Sequence, residues 1–191
     1  MKILALDIAT QTGIAVGDSG SQPRAWSISL GEAPDRGRLS KDAKAALDGR
    51  RFSNALKMTQ GLIEHHSPDL IVVEAAIGGA KASHYLIGLV ACVRGCAANR
   101  GVTCKPANLS TVRKHFLGRS ISVNDFPYLK SKDAKKKAIK REVLKRCELL
   151  KWDVGGDDDA ADACAIWDWA CAEFARGYQA QPGGDLFHAH G

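Results

Sequence analysis

Two apolar runs in this chain of 191 residues end in a carboxylate, KILALD at Asp7 and LIVVE at Glu74. A later segment, GGDDDAADACAIWDWA, opens with Asp157, Asp158 and Asp159 and adds Asp162. Runs of the first kind read as strands buried on both faces, where a charge is costly to desolvate unless something pairs with it. An Asp at a strand end also caps turns, so Asp7 alone does not decide the matter. In the later segment, acids in a first helical turn are favoured by capping and by the helix dipole, by roughly 0.3–1 kcal/mol each. Four acids exceed what capping uses. Asp159 and Asp162, three residues apart, share one side of that helix. Carboxylates gathered in one place repel and titrate upward unless cations hold them, and hard oxygen ligands suit Mg²⁺ or Mn²⁺. Two such ions about 3.5–4 Å apart activate water and stabilise the leaving oxygen of an in-line phosphodiester displacement. Convergence of Asp7, Glu74, Asp159 and Asp162 would serve that chemistry.

Periodicity and punctuation indicate the elements that must position these acids. Residues 2–8 and 12–18 run apolar around ATQTG and predict a hairpin, with Gly13 able to take the conformation of a tight reversal. AWSISLGE, at 25–32, is a third strand, and GEAPDRGRLS is a loop. Between 42 and 65, Ala46, Phe52, Leu56, Met58, Leu62 and Ile63 fit a helix closed by HHSPD, where Pro68 prevents continuation. A buried strand at 69–76, a loop at GGAKAS and a long apolar helix at 84–101 follow. Residues 101–118 give a short strand, a Pro-bearing turn and a short helix, and ISVNDFPYL is a loop. A basic helix with a capping-box-like start spans 131–150. The last helix, 155–178, carries Ala163, Ile166, Trp167, Ala170 and Phe174 as its apolar stripe. Strands first, then a β-α-β unit and further helices, predict an α/β fold with one central mixed sheet flanked by helices. A single domain over 1–180 and a frayed tail at 181–191 are expected.

The chain is 45% hydrophobic and 25% charged, an ordinary globular balance that argues against disorder. IVVEAAIGGA and LIGLVACV are too short and interrupted to span a membrane. Met1 leads straight into a strand without a signal pattern, so a cytosolic protein is expected. The six cysteines, Cys92, Cys96, Cys104, Cys147, Cys164 and Cys171, include no C-x-x-C pair and read as reduced structural thiols. His65, His66, His84 and His115 receive no role, and His188 and His190 fall in the tail. Net charge is +6, and the stretch from Lys130 to Arg146 carries nine Lys or Arg against two acids. A basic run is usually a solvated face; beside an acidic metal-type cluster, phosphate contact is the better reading.

In order along nearly the whole chain, LALDIATQTGIAV, LIVVEAAIGGAKAS, LIGLVACVRGCAANRGV, VRKHFLG, SKDAKKKAIKREVLKR and DDDAADACAIWDWA resemble the RuvC-like Holliday-junction resolvases, especially their phage and prophage branch, within the RNase H-like superfamily. The resemblance implies an RNase H-like fold, antiparallel first strands followed by parallel ones. It implies a metal-dependent endonuclease that cuts DNA at four-way or other branched junctions and leaves 5′-phosphate ends. Asp7, Glu74, Asp159 and Asp162 would hold two Mg²⁺, with Mn²⁺ as substitute, and Asp158 stands as an alternative to Asp159. Lys136 falls where these enzymes place a Lys near the scissile phosphate, with Lys135 or Lys137 as alternatives. Arg113 and Lys114 would contact the DNA backbone, together with Lys132, Lys135, Lys136, Lys137, Lys140 and Arg141 of the basic stretch. A homodimer through the helix at about 84–100 is implied, with branched DNA as partner and neither membrane nor nucleotide cofactor.

Two departures stand out. Ala9 replaces the usual Gly two residues after the first Asp, and Ile77 stands where some members carry a base-stacking aromatic, leaving Phe126 or Tyr128 as candidate wedges. Rival readings are a non-catalytic nucleic-acid-binding relative, an RNase H-like enzyme of RNA metabolism, and an actin-like ATPase or sugar kinase. The last needs two such domains and a second phosphate loop, for which this chain is too short.

Overall fold

The computed structural model describes residues 1–32, 34–76 and 83–177. Strands β1 (Lys2–Asp7), β2 (Gln11–Asp18), β3 (Arg24–Ser29), β4 (Leu70–Glu74) and β5 (Thr103–Ala107) form one sheet in the order β3-β2-β1-β4-β5. β1 and β3 pair antiparallel with β2, while β4 pairs parallel with β1 and with β5. Antiparallel neighbours need only tight reversals, whereas parallel ones need crossovers. Helices α1 (Lys41–His66) and α2 (His84–Asn99) lie in those crossovers, and α3 (Leu109–Leu117), α4 (Lys132–Leu149) and α5 (Asp158–Phe174) follow β5. This is the mixed sheet flanked by helices that the sequence predicts.

Side chains alternate across a strand, so each strand divides its residues between two cores. Ile3, Ala5, Ala15, Leu70, Val72 and Ala107 pack beneath α3, α4 and α5. Leu4, Leu6, Ile14, Val16, Ile71 and Val73 pack with residues of α1 and α2. Asp7 continues the series of Ile3 and Ala5, and Glu74 continues that of Leu70 and Val72; both therefore sit on the α5 face. The register brings them side by side, because Leu6 pairs with Val73 one step earlier.

Sequence and structure differ at several points. The buried side of α1 is Leu47, Arg51, Ala55, Thr59, Leu62 and Ile63, while Leu56 is exposed. Burial of Arg51 shifts this face: its guanidinium donates to the Glu32 carbonyl and lies over the Tyr85 ring at 5.5 Å, contacts that apolar periodicity does not register. Gly13 is within β2, paired with Asp7, and not in the reversal. The reciprocal capping box belongs to Ser122 and Asp125 in a 3₁₀ turn inside the expected loop, whereas Ser131 caps α4 by accepting from the Ala134 N–H. The last helix begins at Asp158 and is buried nearly all round over its first ten residues, because the sheet lies under it and α3 and α4 flank it. All six thiols are free, with Cys147, Cys164 and Cys171 fully buried. Residues 77–82, which include Ile77 and most of the expected GGAKAS loop, and the expected tail at 181–191 lie outside the described residues.

Candidate active site

Asp7 closes β1 nearly buried, beside Glu74 at the end of β4. Burial first, then Glu74, pushes the Asp7 carboxyl well above the usual carboxylate range, with Asp159 adding to the rise and Lys140 opposing it. Asp162, on the first turn and a half of α5, is 1% exposed. Burial raises it to about 6, with Asp7 contributing, against the lowering pull of Arg113. Asp7 thus has Glu74 beside it on the neighbouring parallel strand and interacts electrostatically with Asp159 and Asp162 of α5.

The acidic triplet divides its work. Carboxylate oxygens of Asp157, Asp158 and Asp159 lie within 4.8 Å of one another. Asp157 is the helix cap: its Oδ1 accepts from the N–H groups of Asp159 (2.9 Å) and Ala160 (3.1 Å), and its Oδ2 accepts from the Ser27 hydroxyl. Burial opposes its charge, but Ser27 and those two N–H groups hold its carboxyl below the ordinary range. Asp159 bears electrostatically on Asp7, while Asp158 is the more exposed of the two and points outward.

Two cationic side chains pair with this cluster. Arg113 of α3 donates from Nη2 to both oxygens of Asp162, at 3.0 and 3.2 Å. It faces the acids instead of standing outward. Lys140 of α4 places Nζ 2.6 Å from Asp159 Oδ1 and 3.5 Å from Asp158 Oδ1. Burial opposes the Lys140 charge, yet the hydrogen bond to Asp159 and the neighbouring Asp162 and Asp158 raise its pKa on balance. Lys136 lies one turn earlier on the same side of α4, is exposed, and makes no ion pair among the described residues. Lys114, Lys132, Lys137 and Arg141 are exposed as well, and Lys135 is half-buried. Placement of Lys140 on the acids was hidden in the sequence, where one lysine in a run of lysines carries no mark.

Ala9 needs no glycine, since its backbone is not left-handed, and the reversal is closed by Thr12 Oγ1 donating to the Ala9 carbonyl at 2.8 Å. Phe126 is buried against Ala138 and Ile139, so it is a packing residue; Tyr128 is 72% exposed, resting edge-on against Phe126. His115 binds Asp168 on the far part of α5, away from these acids.

The donor set fits a divalent cation. All four groups are hard carboxylate oxygens, and two are pushed toward protonation by mutual repulsion and burial, a strain that a dication would relieve. Among the described residues, the carboxylates whose oxygens all lie within 4.8 Å of one another are Asp157, Asp158 and Asp159, while the expected set Asp7, Glu74, Asp159 and Asp162 is more widely spaced.

No protein-family model and no curated protein sequence matches the chain. Among solved structures, the chain is similar to RuvC of Thermus thermophilus, at 15% identity and a TM-score of 0.55, over 87% of this chain and 90% of that one. It is similar to T. thermophilus RuvC in complex with a Holliday junction substrate, at 13% identity and a TM-score of 0.55, over 87% and 89% of the two chains. The shared fold is the RNase H-like one expected from the sequence.

Proposed function

We propose that this protein is a divalent-metal-dependent endonuclease that hydrolyses phosphodiesters of branched DNA, four-way junctions above all, and leaves 5′-phosphate ends. What supports this reading is that Asp7 and Glu74 end neighbouring parallel strands, with Asp159 and Asp162 of α5 acting electrostatically on Asp7. Mg²⁺, with Mn²⁺ as substitute, would supply an activated water and a counter-charge for the leaving oxygen. Asp7, Glu74, Asp159 and Asp162 would hold the cation. Asp157 caps the helix that carries Asp159 and Asp162. The exposed basic side of α4, with Lys132, Lys136, Lys137 and Arg141, would hold the backbone, giving affinity without sequence information. The complex of T. thermophilus RuvC with a Holliday junction substrate supports the choice of branched DNA.

A homodimer would place two such sites across a two-fold junction. The outer side of α2 supports it: Ile87, Ala91, Gly95 and Ala98 are exposed in a line, a low and partly apolar face. A cytosolic setting suits this substrate, and no helix among the described residues is long and apolar enough to cross a membrane.

Four-way, flap, duplex and single-stranded DNA incubated with Mg²⁺ or Mn²⁺, comparing wild type with Asp7→Asn, test the reading. Cleavage of branched substrates that Asp7→Asn abolishes is expected. Cleavage indifferent to that substitution, or binding of branched DNA with no cutting by wild type, overturns it, and the latter favours a non-catalytic binding protein.

A further inference from the structure

The two cations on the acidic cluster are unlike each other. Arg113 grips Asp162 through one nitrogen shared by both oxygens, its side chain is 18% exposed, and that of Asp162 is 2%. Its Nε is buried with no partner among the described residues, so the guanidinium is enclosed on the spot. Lys140 touches the more open rim, Asp159 and Asp158, with its side chain 30% exposed. An ammonium on a four-carbon stem is a point charge that can swing through several rotamers; a buried guanidinium fork cannot. One helical turn from Lys140, the exposed Lys136 marks the side of α4 along which such a swing would lead.

We propose that Lys140 is a built-in competitor of the divalent cation: it neutralises Asp159 in the metal-free protein, is displaced when the cation binds, and is thereby delivered to the phosphate-facing side of α4. This rests on the reading of the four acids as a metal site. Lys140 Nζ holds Asp159 Oδ1 at 2.6 Å, so a hard cation that takes that oxygen must displace the ammonium. Cation binding therefore breaks one contact and releases one positive charge beside the basic stretch. Arg113 stays, keeping Asp162 oriented while the exchange takes place. By linkage, whatever factor the cation adds to DNA affinity, DNA adds to cation affinity.

The test uses full-length protein and Mn²⁺ titrations read by the paramagnetic signal of the free ion, without DNA. Lys140→Met, which keeps the stem and removes the charge, is expected to bind Mn²⁺ about tenfold more tightly than wild type, as loss of one nearby positive charge dictates. Lys140→Gln is expected to do the same, so a folding fault in one variant does not decide the matter. Lys57→Gln, on the exposed side of α1 and outside any proposed site, is expected to bind as wild type does. In wild type, Mn²⁺ is expected to raise labelling of Lys140 by an amine-acylating reagent, read by mass spectrometry, several-fold over labelling of Lys136. Mn²⁺ affinity that is unchanged or weakened in both Lys140 variants, while Asp7→Asn still weakens it, overturns the competitor role and leaves the metal site standing. Equal Mn²⁺ binding by wild type and Asp7→Asn overturns the metal site itself, and the competitor with it.

Discussion

Gly13 and Asp159 touch backbone to backbone: a methyl group built on Gly13 would stand 2.5 Å from the carbonyl carbon of Asp159 and nearer still to its oxygen. Gly13 pairs with Asp7 across β1 and β2, so the absent side chain lets the first turn of α5 settle directly over the strand that carries Asp7. Gly17 repeats the arrangement four residues on, where its carbonyl accepts from Trp167 Nε1 at 3.3 Å.

Gly13→Ala is expected to lift the start of α5 from the sheet. Its backbone is not left-handed, so the penalty is steric alone, about 1–3 kcal/mol for an overpacked site. Thermal unfolding is expected to register that loss. Cleavage of branched DNA is expected to fall by at least about 100-fold, since a displacement near 1 Å at reacting groups has that effect. A variant destabilised to this extent yet fully active would mean that the separation of Asp7 and Asp159 does not matter.

Metal-free protein is expected to be stabilised by Asp7→Asn at neutral pH. Asp7 and Asp162 have folded-state pKa values above their unfolded ones, so the folded chain holds protons that the unfolded chain gives up. Stability from these groups is fully present below the unfolded value near 4 and is lost as pH rises through about 6 for Asp162. Tm of Asp7→Asn is therefore expected to exceed that of wild type by a few degrees at pH 7.5, at about 2–4 °C per kcal/mol, and the gap to close toward pH 4.5. His66 is lowered by burial and acts in the opposite sense, but it is common to both proteins and cancels in the difference. Saturating Mn²⁺ is expected to reverse the order, because a bound dication needs the Asp7 charge.

Arg113→Leu leaves the carboxylate of Asp162 buried without its partner. A loss of about 3 kcal/mol is expected at pH 8, in the range for breaking a buried ion pair from one side. Acid lessens the loss, because Asp162 then takes up a proton. Denaturant unfolding at pH 8 and pH 5 checks it; equal losses at both would place the role of Arg113 in packing instead of charge.

Phe126 and Tyr128 are expected to separate stability from binding. Phe126→Ala removes the centre of a small cluster with Ala138 and Ile139 and is expected to destabilise by about 3 kcal/mol. Tyr128→Ala touches an exposed ring and is expected to change stability by less than about 0.5 kcal/mol. Affinity for four-way DNA is expected to drop severalfold in Tyr128→Ala, through loss of base stacking; equal affinity by gel shift would remove Tyr128 from the interface.

Much of this arrangement was legible in the residues. Strand-end acids, the start of a helix and a Pro stop are local signals, and β1, β2, β4 and α5 fall near where those signals put them. Asp7 and Glu74 were readable because alternation fixes which face a strand residue takes. Arg51 was not, because its burial depends on the Glu32 carbonyl and the Tyr85 ring, both distant in sequence. The ion pairs of Lys140 and Arg113, read as DNA-backbone contacts, with Asp159 and Asp162 were hidden for the same reason. A cation's direction depends on where acids lie after folding, and the basic stretch displays many lysines of which one turns inward. Gly13 was recognised as special but for a bend, whereas closeness to a helix arriving from the other end of the chain is its actual requirement.

That late arrival has a consequence for synthesis. A ribosome extruding this polypeptide releases Asp7 and Glu74 long before α5, and 150 residues separate Gly17 from the indole that hydrogen-bonds to it. Until those final turns emerge, one side of the sheet is bare and half the acids are missing, so the acidic cluster is the last part of the molecule to assemble.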